Sequence, residues 1–60
     1  MRHAKITLKN PHEWGWTTIK GPLAIRRKWV RIVGNTDGDE VKFCQALIEI
    51  DDIKNIEFLD

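Results

Sequence analysis

Residues 34–40 read Gly-Asn-Thr-Asp-Gly-Asp-Glu and separate two apolar runs, one ending at Val33 and the other beginning at Val41. The pair Asp37-Gly38 tolerates the positive φ angles that a tight hairpin turn requires. We therefore predict a long antiparallel hairpin in which Asp37 and Gly38 are the two loop residues. This register pairs Ile32 with Phe43, Arg31 with Cys44, Trp29 with Ala46, and Arg26 with Glu49.

The predicted register divides the apolar residues of the hairpin between two faces. Val30, Ile32, Val41 and Phe43 share one face near the turn, whereas Ile25, Ala46, Ile48 and Ile50 share the other face farther away. One flat sheet cannot bury both sets. We expect a β-bulge near residues 28–29 and Gln45, because one extra residue swaps the faces and bends the strand.

Further strands are predicted on either side of the hairpin. Isoleucine, valine and threonine make up a quarter of the chain, which favours strands over helices. Alternation of polar and apolar residues predicts a strand over 4–9, and further extended runs are expected over 14–20 and 23–33, with a break at Gly21-Pro22. Residues 51–55 are typical of one short 3₁₀ turn capped by aspartate, followed by a last strand over 56–59.

The length and composition predict one small folded domain over residues 1–60. The chain has 60 residues, is 42% hydrophobic and has a single cysteine, Cys44, so no intrachain disulfide can form. We expect an intracellular, cytoplasmic protein, since the sequence contains neither a signal-peptide run nor eighteen contiguous apolar residues. The expected core contains the apolar members of the alternating patterns, namely Ile6, Ile32, Phe43, Ile48 and Ile56.

The order of these elements is similar to that of the SH3-like and Sm-like small β-barrels. The resemblance covers nearly the whole chain in spacing, without a motif specific to one family. It implies an all-β, five-stranded barrel with a one-turn 3₁₀ segment before the last strand. Barrels of this kind commonly bind peptides, nucleic acids or partner subunits, so the resemblance implies a binding module and leaves its ligand open.

Charge is divided between the two halves of the chain. Residues 1–31 carry eight basic side chains and one acidic side chain, whereas residues 32–60 carry two basic and eight acidic side chains. The net charges of +7 and −6 suggest a basic face for nucleic acid or an acidic protein. Cross-strand pairs that neutralise the two halves would explain the same pattern.

The most informative cluster is a tryptophan surrounded by cations. Strand alternation would place Arg27, Trp29 and Arg31 on one face. Such a face suits nucleic acid, because cations contact phosphates and an aromatic ring stacks on a base. The alternative is that Trp29 is a core residue covered by the cationic stems. The predicted nucleic-acid-binding residues, for DNA or RNA, are Arg26, Arg27, Lys28, Trp29, Arg31 and Lys42.

Two other functions remain open on the sequence alone. Trp14 and Trp16 would share one side of a strand and could bind a protein partner, as in a small regulator or inhibitor of the kind that phage proteins often are. The oppositely charged halves could also pack head to tail in a homo-oligomer. A membrane partner is not expected.

The side chains that would be needed for catalysis or metal binding are sparse. Serine is absent, Cys44 lies in a predicted strand, and His3 and His12 are the two imidazoles. Their spacing matches no zinc-ligand pattern, and the acids of residues 37–40 lack the later ligands of a calcium loop. We therefore predict no enzyme activity, no metal and no cofactor.

Overall fold

Five antiparallel strands form one sheet in the computed structural model, which describes residues 2–37 and 43–60. The strand order is β4-β3-β2-β1-β5, and the all-β prediction is confirmed. Within the described residues no ladder joins β4 to β5, so the sheet is open and the predicted closed barrel is not confirmed. The elements are β1 (Arg2–Leu8), β2 (Thr18–Ile25), β3 (Trp29–Thr36), β4 (Phe43–Glu49), a 3₁₀ turn (Ile50–Asp52) and β5 (Ile53–Phe58).

Strand β2 begins later and extends farther than the sequence predicts. Residues 14–17 precede the strand, and β2 continues through Gly21 and Pro22 to Ile25. The predicted break at Gly21-Pro22 is therefore wrong, because β1 pairs with β2 across both residues, with His3 opposite Pro22. Proline has no N–H to donate, and the β2–β3 ladder is interrupted between the pairs Lys20–Asn35 and Leu23–Ile32.

The β3–β4 register differs by three residues from the prediction. Ile32 pairs with Ala46 rather than Phe43, and Val30 pairs with Ile48. An odd displacement moves every β4 side chain to the other face. Ala46 and Ile48 therefore lie on the same side as Val30 and Ile32, whereas Leu47 is on the outer face. The ladder is continuous from residue 29 to residue 35, and the bulge expected near Gln45 is therefore wrong. The predicted loop residue Gly38, with Val41, lies outside the described residues.

The buried side chains of the strands lie on one face of the sheet, the inner face, and Trp16 of the preceding loop packs with them. Ile6, Ile32 and Ile48 are buried as predicted, and Ile56 is half-buried against the same cluster. Phe43 is 72% exposed, so its predicted place in the core is wrong. The reason is the register, which turns Phe43 to the outer face opposite Asn35. The buried hydrophobic residues are Ala4, Ile6, Leu8, Trp16, Ile19, Leu23, Val30, Ile32 and Ile48.

A row of small residues crosses the four strands β4, β3, β2 and β1. Cys44 pairs with Gly34, and Ala4 pairs with Gly21. A Cβ atom on Gly21 would overlap the carbonyl oxygen of Val33 and lie 2.9 Å from the Cα atom of Gly34. The two backbones approach too closely here to leave room for a side chain. Glycine is therefore required at both positions.

The 3₁₀ turn and β5 follow β4 in the predicted order. The N-cap residue is Glu49 and makes no side-chain cap hydrogen bond, so the predicted aspartate cap is wrong. β5 pairs with β1, as expected for a last strand that returns to the first, with a register shift between Thr7 and Leu8. Among the described residues, no helix has the length and apolar character needed to cross a membrane.

Candidate nucleic-acid interface

Three consecutive cations form the turn between β2 and β3. Arg26, Arg27 and Lys28 are all exposed, and the Arg26 N–H donates to the carbonyl oxygen of Trp29 at 2.8 Å. The prediction that strand alternation places Arg27 beside Trp29 and Arg31 is therefore wrong, because Arg27 lies in the turn rather than in a strand. The turn instead presents its cations at one end of the sheet.

Trp29 and Arg31 do share one face of β3. Both alternate with the buried residues Val30 and Ile32, so their side chains lie on the outer face. Trp29 is 38% exposed and is not a core residue. With the Gln45 amide oxygen turned toward it, the Arg31 guanidinium donates from Nε and Nη2 at 3.0 Å each. Gln45 lies opposite Val33, so this contact holds the guanidinium toward β4, on the side of Arg31 away from Trp29.

Two lysines that the sequence analysis did not single out extend this surface. Lys5 of β1 lies directly opposite Lys20 of β2, and both side chains are exposed. Like charges directly opposite each other destabilise a sheet. Asp37 lines a surface depression together with both lysines, so one carboxylate of the protein lies close to this pair. Alternation alone places each lysine outward, but only the β1–β2 register shows that they are neighbours.

Acidic side chains lie at the margins of the outer face. Glu57 of β5 lies opposite Lys5, and Glu49 of β4 lies opposite Trp29. Glu49 and Asp51 also line a surface depression together with Arg27 and Trp29. By contrast, the outer face of the three central strands carries Lys5, Lys20 and Arg31 and no aspartate or glutamate. Arg2 shares the parity of the buried Ala4 and forms an ion pair with Asp60 at 3.8 Å. The predicted site residue Lys42 lies outside the described residues.

The two other tryptophans differ in how far they are buried. Trp16 is 3% exposed and its ring stacks on His12 with the centroids 4.5 Å apart, whereas Trp14 is 67% exposed. The backbone N–H of Trp14 donates to His12 Nδ1 at 3.2 Å. Trp16 therefore belongs to the core at this loop, and Trp14 is the one of the two that is exposed to a partner.

The described residues offer little else that is chemically reactive. Cys44 is half-buried beside the core, and within residues 2–37 and 43–60 no three His, Cys, Asp or Glu side chains come close enough to bind a metal ion. Comparison of the chain with family models, curated proteins and solved structures finds no significant match.

Proposed function

We propose that the protein is a non-enzymatic binding module that binds single-stranded nucleic acid across the outer face of β1, β2 and β3. The observation that carries this proposal is the charge of the outer face of those strands, where the charged side chains are Lys5, Lys20 and Arg31. A phosphate backbone is attracted to such a strip. Acids on β4 and β5 border it on both sides, and Asp37 and Asp60 line depressions next to Lys20. From the order of the strands and the 3₁₀ turn, we also propose that the fold is a variant of the SH3-like or Sm-like barrels. We further propose that the protein is cytoplasmic.

Trp29 supplies the contact that charge alone does not. Its half-exposed ring lies on the same face as Arg31 and next to the cationic turn of residues 26–28. Aromatic rings stack on bases of any sequence, while lysine and arginine side chains contact the phosphates. The proposed ligand therefore has accessible bases, as single strands and looped RNA do.

The basic side chains are spaced along a path that a strand of nucleic acid can follow. Lys20 lies beside Asn35, and Arg31 is four residues before Asn35 on the same strand. Four residues of a β-strand span roughly 13 Å, which is comparable to the reach of two or three nucleotides. Lys5 and Lys20 would contact one part of the ligand, while Trp29, Arg31 and the turn would contact another.

A labelled-oligonucleotide titration tests this function. Fluorescence anisotropy is measured for single-stranded DNA, single-stranded RNA and duplex DNA over a range of salt concentrations. The double variant Lys20→Ala/Arg31→Ala should weaken single-strand binding and reduce the salt slope by about 0.7 for each lost phosphate contact. Lys54→Ala, which removes one charge from the edge strand β5, is the matched control and should change binding little.

Two outcomes would overturn the proposal. One is a parent protein that binds none of the three nucleic acids at low salt, where phosphate attraction is strongest. The other is a Lys54→Ala variant that loses as much affinity as Lys20→Ala or Arg31→Ala alone. If an acidic peptide binds instead, and its affinity falls in the Lys20→Ala/Arg31→Ala variant as expected for nucleic acid, this face would be assigned to a protein partner.

A further inference from the structure

The two edges of the sheet differ in how they are protected against pairing. The edge strand β5 carries Lys54 and Glu57, and its ladder with β1 has a register shift. Charged side chains and bulges of this kind discourage a second strand from adding to an edge. The other edge strand, β4, has no charged residue from Phe43 to Ile48. The uncharged edge is therefore the one open to further pairing.

The backbone of β4 shows which groups face that edge. The Ile50 N–H donates to the carbonyl oxygen of Lys28 at 3.0 Å, one pair beyond the Trp29–Glu49 pair of the ladder. In an antiparallel ladder, hydrogen-bonded and non-hydrogen-bonded pairs alternate. The even-numbered β4 residues therefore bond to β3, and the N–H and C=O groups of the odd-numbered residues, from Phe43 to Glu49, point away from it.

The β2–β3 ladder independently supports this assignment. The Arg26 N–H donates to the Trp29 carbonyl oxygen at 2.8 Å, so odd-numbered residues of β3 direct their backbone groups toward β2. Even-numbered residues of β3 must then face β4, as Lys28 does. The odd-numbered β4 residues are thus the ones available to a new strand.

The outward side chains of β4 are complementary to a second copy of themselves. We propose that the protein forms a twofold-symmetric dimer in which β4 pairs antiparallel with β4 of another copy, with the axis at Gln45. In this register Phe43 of each copy faces Leu47 of the other. The exposed fractions of Phe43 and Leu47 are 72% and 68%, so the pairing covers two of the most exposed apolar side chains in the described residues.

Backbone geometry permits this register, and the side chains favour it over the register centred on Ala46. Only odd-numbered residues can pair with odd-numbered residues, which restricts the axis to whole-residue positions. Moving the axis to Ala46 would set Phe43 against the carboxylate of Glu49, whereas the axis at Gln45 places an uncharged amide against its own copy. A second copy is therefore the occupant that this edge fits, and each partner gains the same contacts.

The dimer should be weak and concentration-dependent. One pair of short strands buries an area at the low end of specific interfaces, below roughly 1,200 Å². Sedimentation equilibrium without nucleic acid should show monomer and dimer exchanging as the concentration rises. Gln45→Lys places two like charges together at the axis and should weaken association by at least about tenfold. Asn55→Lys, the same charge change on β5, should leave association unchanged.

Cross-linking tests the register directly. Hydrogen-bonded antiparallel partners have Cα atoms about 5.5 Å apart, a separation that a disulfide spans. In a Cys44→Ala background, Gln45→Cys should form a covalent dimer on mild oxidation much faster than Asn55→Cys. Equal rates for the two variants would overturn the register. A parent protein that stays monomeric at every concentration would overturn the dimer, whatever the result with nucleic acid.

Discussion

Asp37 and Thr18 bond to each other in both directions. The Thr18 N–H donates to Asp37 Oδ1 at 2.8 Å, and the Asp37 N–H donates to the carbonyl oxygen of Thr18 at 3.2 Å. Thr17 adds a second backbone donor at 2.9 Å and a hydroxyl at 3.1 Å. One carboxylate thus fastens the end of β3 to the start of β2.

These bonds give the stability of the fold a defined response to acid. The N–H of Thr18, helped by the backbone and hydroxyl of Thr17, lowers the pKa of Asp37 from 3.8 to about 2, against an opposing effect of desolvation. Because the folded pKa is depressed, the stabilisation is present above pH 4 and is lost as the pH falls toward 2. We expect the melting temperature of the parent to fall more steeply over that interval than that of Asp37→Asn. Equal slopes in circular dichroism melts would contradict the role of this carboxylate.

Substitutions at Ile6 and Phe43 should separate the buried face from the outer face. Ile6 is fully buried and Phe43 is 72% exposed. Ile6→Ala should destabilise the protein by about 2 to 5 kcal/mol through lost burial and a cavity. Phe43→Ala removes a larger side chain yet should change the free energy of unfolding by less than about 0.5 kcal/mol. Urea denaturation at low protein concentration measures both, and a Phe43→Ala cost similar to that of Ile6→Ala would place the ring in the core after all.

Gly34 should tolerate no side chain. Its Cβ position overlaps the carbonyl oxygen of Lys20, which belongs to the backbone of the neighbouring strand and cannot rotate away. We expect Gly34→Ala to destabilise the fold by about 3 kcal/mol or more. Gly15→Ala is the control, because Gly15 has a φ of 91° but open space around it, and strain alone should cost about 1 to 2 kcal/mol. The order of the two midpoints in urea checks the prediction, and a smaller loss at Gly34 would contradict it.

Trp29 should contribute to nucleic-acid binding without contributing to its salt dependence. Stacking of one base on an aromatic ring contributes roughly 1 to 3 kcal/mol and releases no counterion. Trp29→Ala should therefore weaken single-strand binding by about 5- to 150-fold while the slope against salt stays at the parent value. Trp14→Ala removes an exposed ring outside the proposed surface and should have little effect. A Trp29→Ala variant with parent affinity would remove stacking from the interface.

Alternation along the strands predicts which residues are buried more reliably than it predicts their partners. The pattern around Ile6 and Ile32 identifies both as core residues, and the burial agrees. The turn signal at Asp37-Gly38 favours a two-residue loop and thus the pairing of Ile32 with Phe43. The observed partner of Ile32 is Ala46, three residues farther along β4. Pairing Ile32 with Ala46 buries Ile48 beside Val30 and leaves Phe43 exposed, so the register follows contacts across the sheet rather than the local turn preference.

The candidate site shows the same limit. The outward positions of Trp29 and Arg31 follow from the local alternation and are found as predicted. The position of Arg27 is not as predicted. The sequence suggests a break at Gly21-Pro22, whereas β2 ends at Ile25, where the sequence has no turn signal. Lys5 and Lys20 become neighbours only through the β1–β2 register. Contacts across the sheet depend on pairing between distant segments, which single-strand patterns do not encode.

The interruption in the β2–β3 ladder divides the proposed surface into two parts. The hydrogen-bonded positions of this ladder fall on Pro22 opposite Val33, where proline has no N–H to give. Lys20 lies on one side of that missing rung and Arg31 on the other. The β2–β3 ladder is therefore weakest at this level, although the β1–β2 and β3–β4 ladders pass through it without a break. A ligand that contacts both cations would span this weak level of the ladder, so binding would hold together two parts of the sheet that fewer backbone hydrogen bonds join.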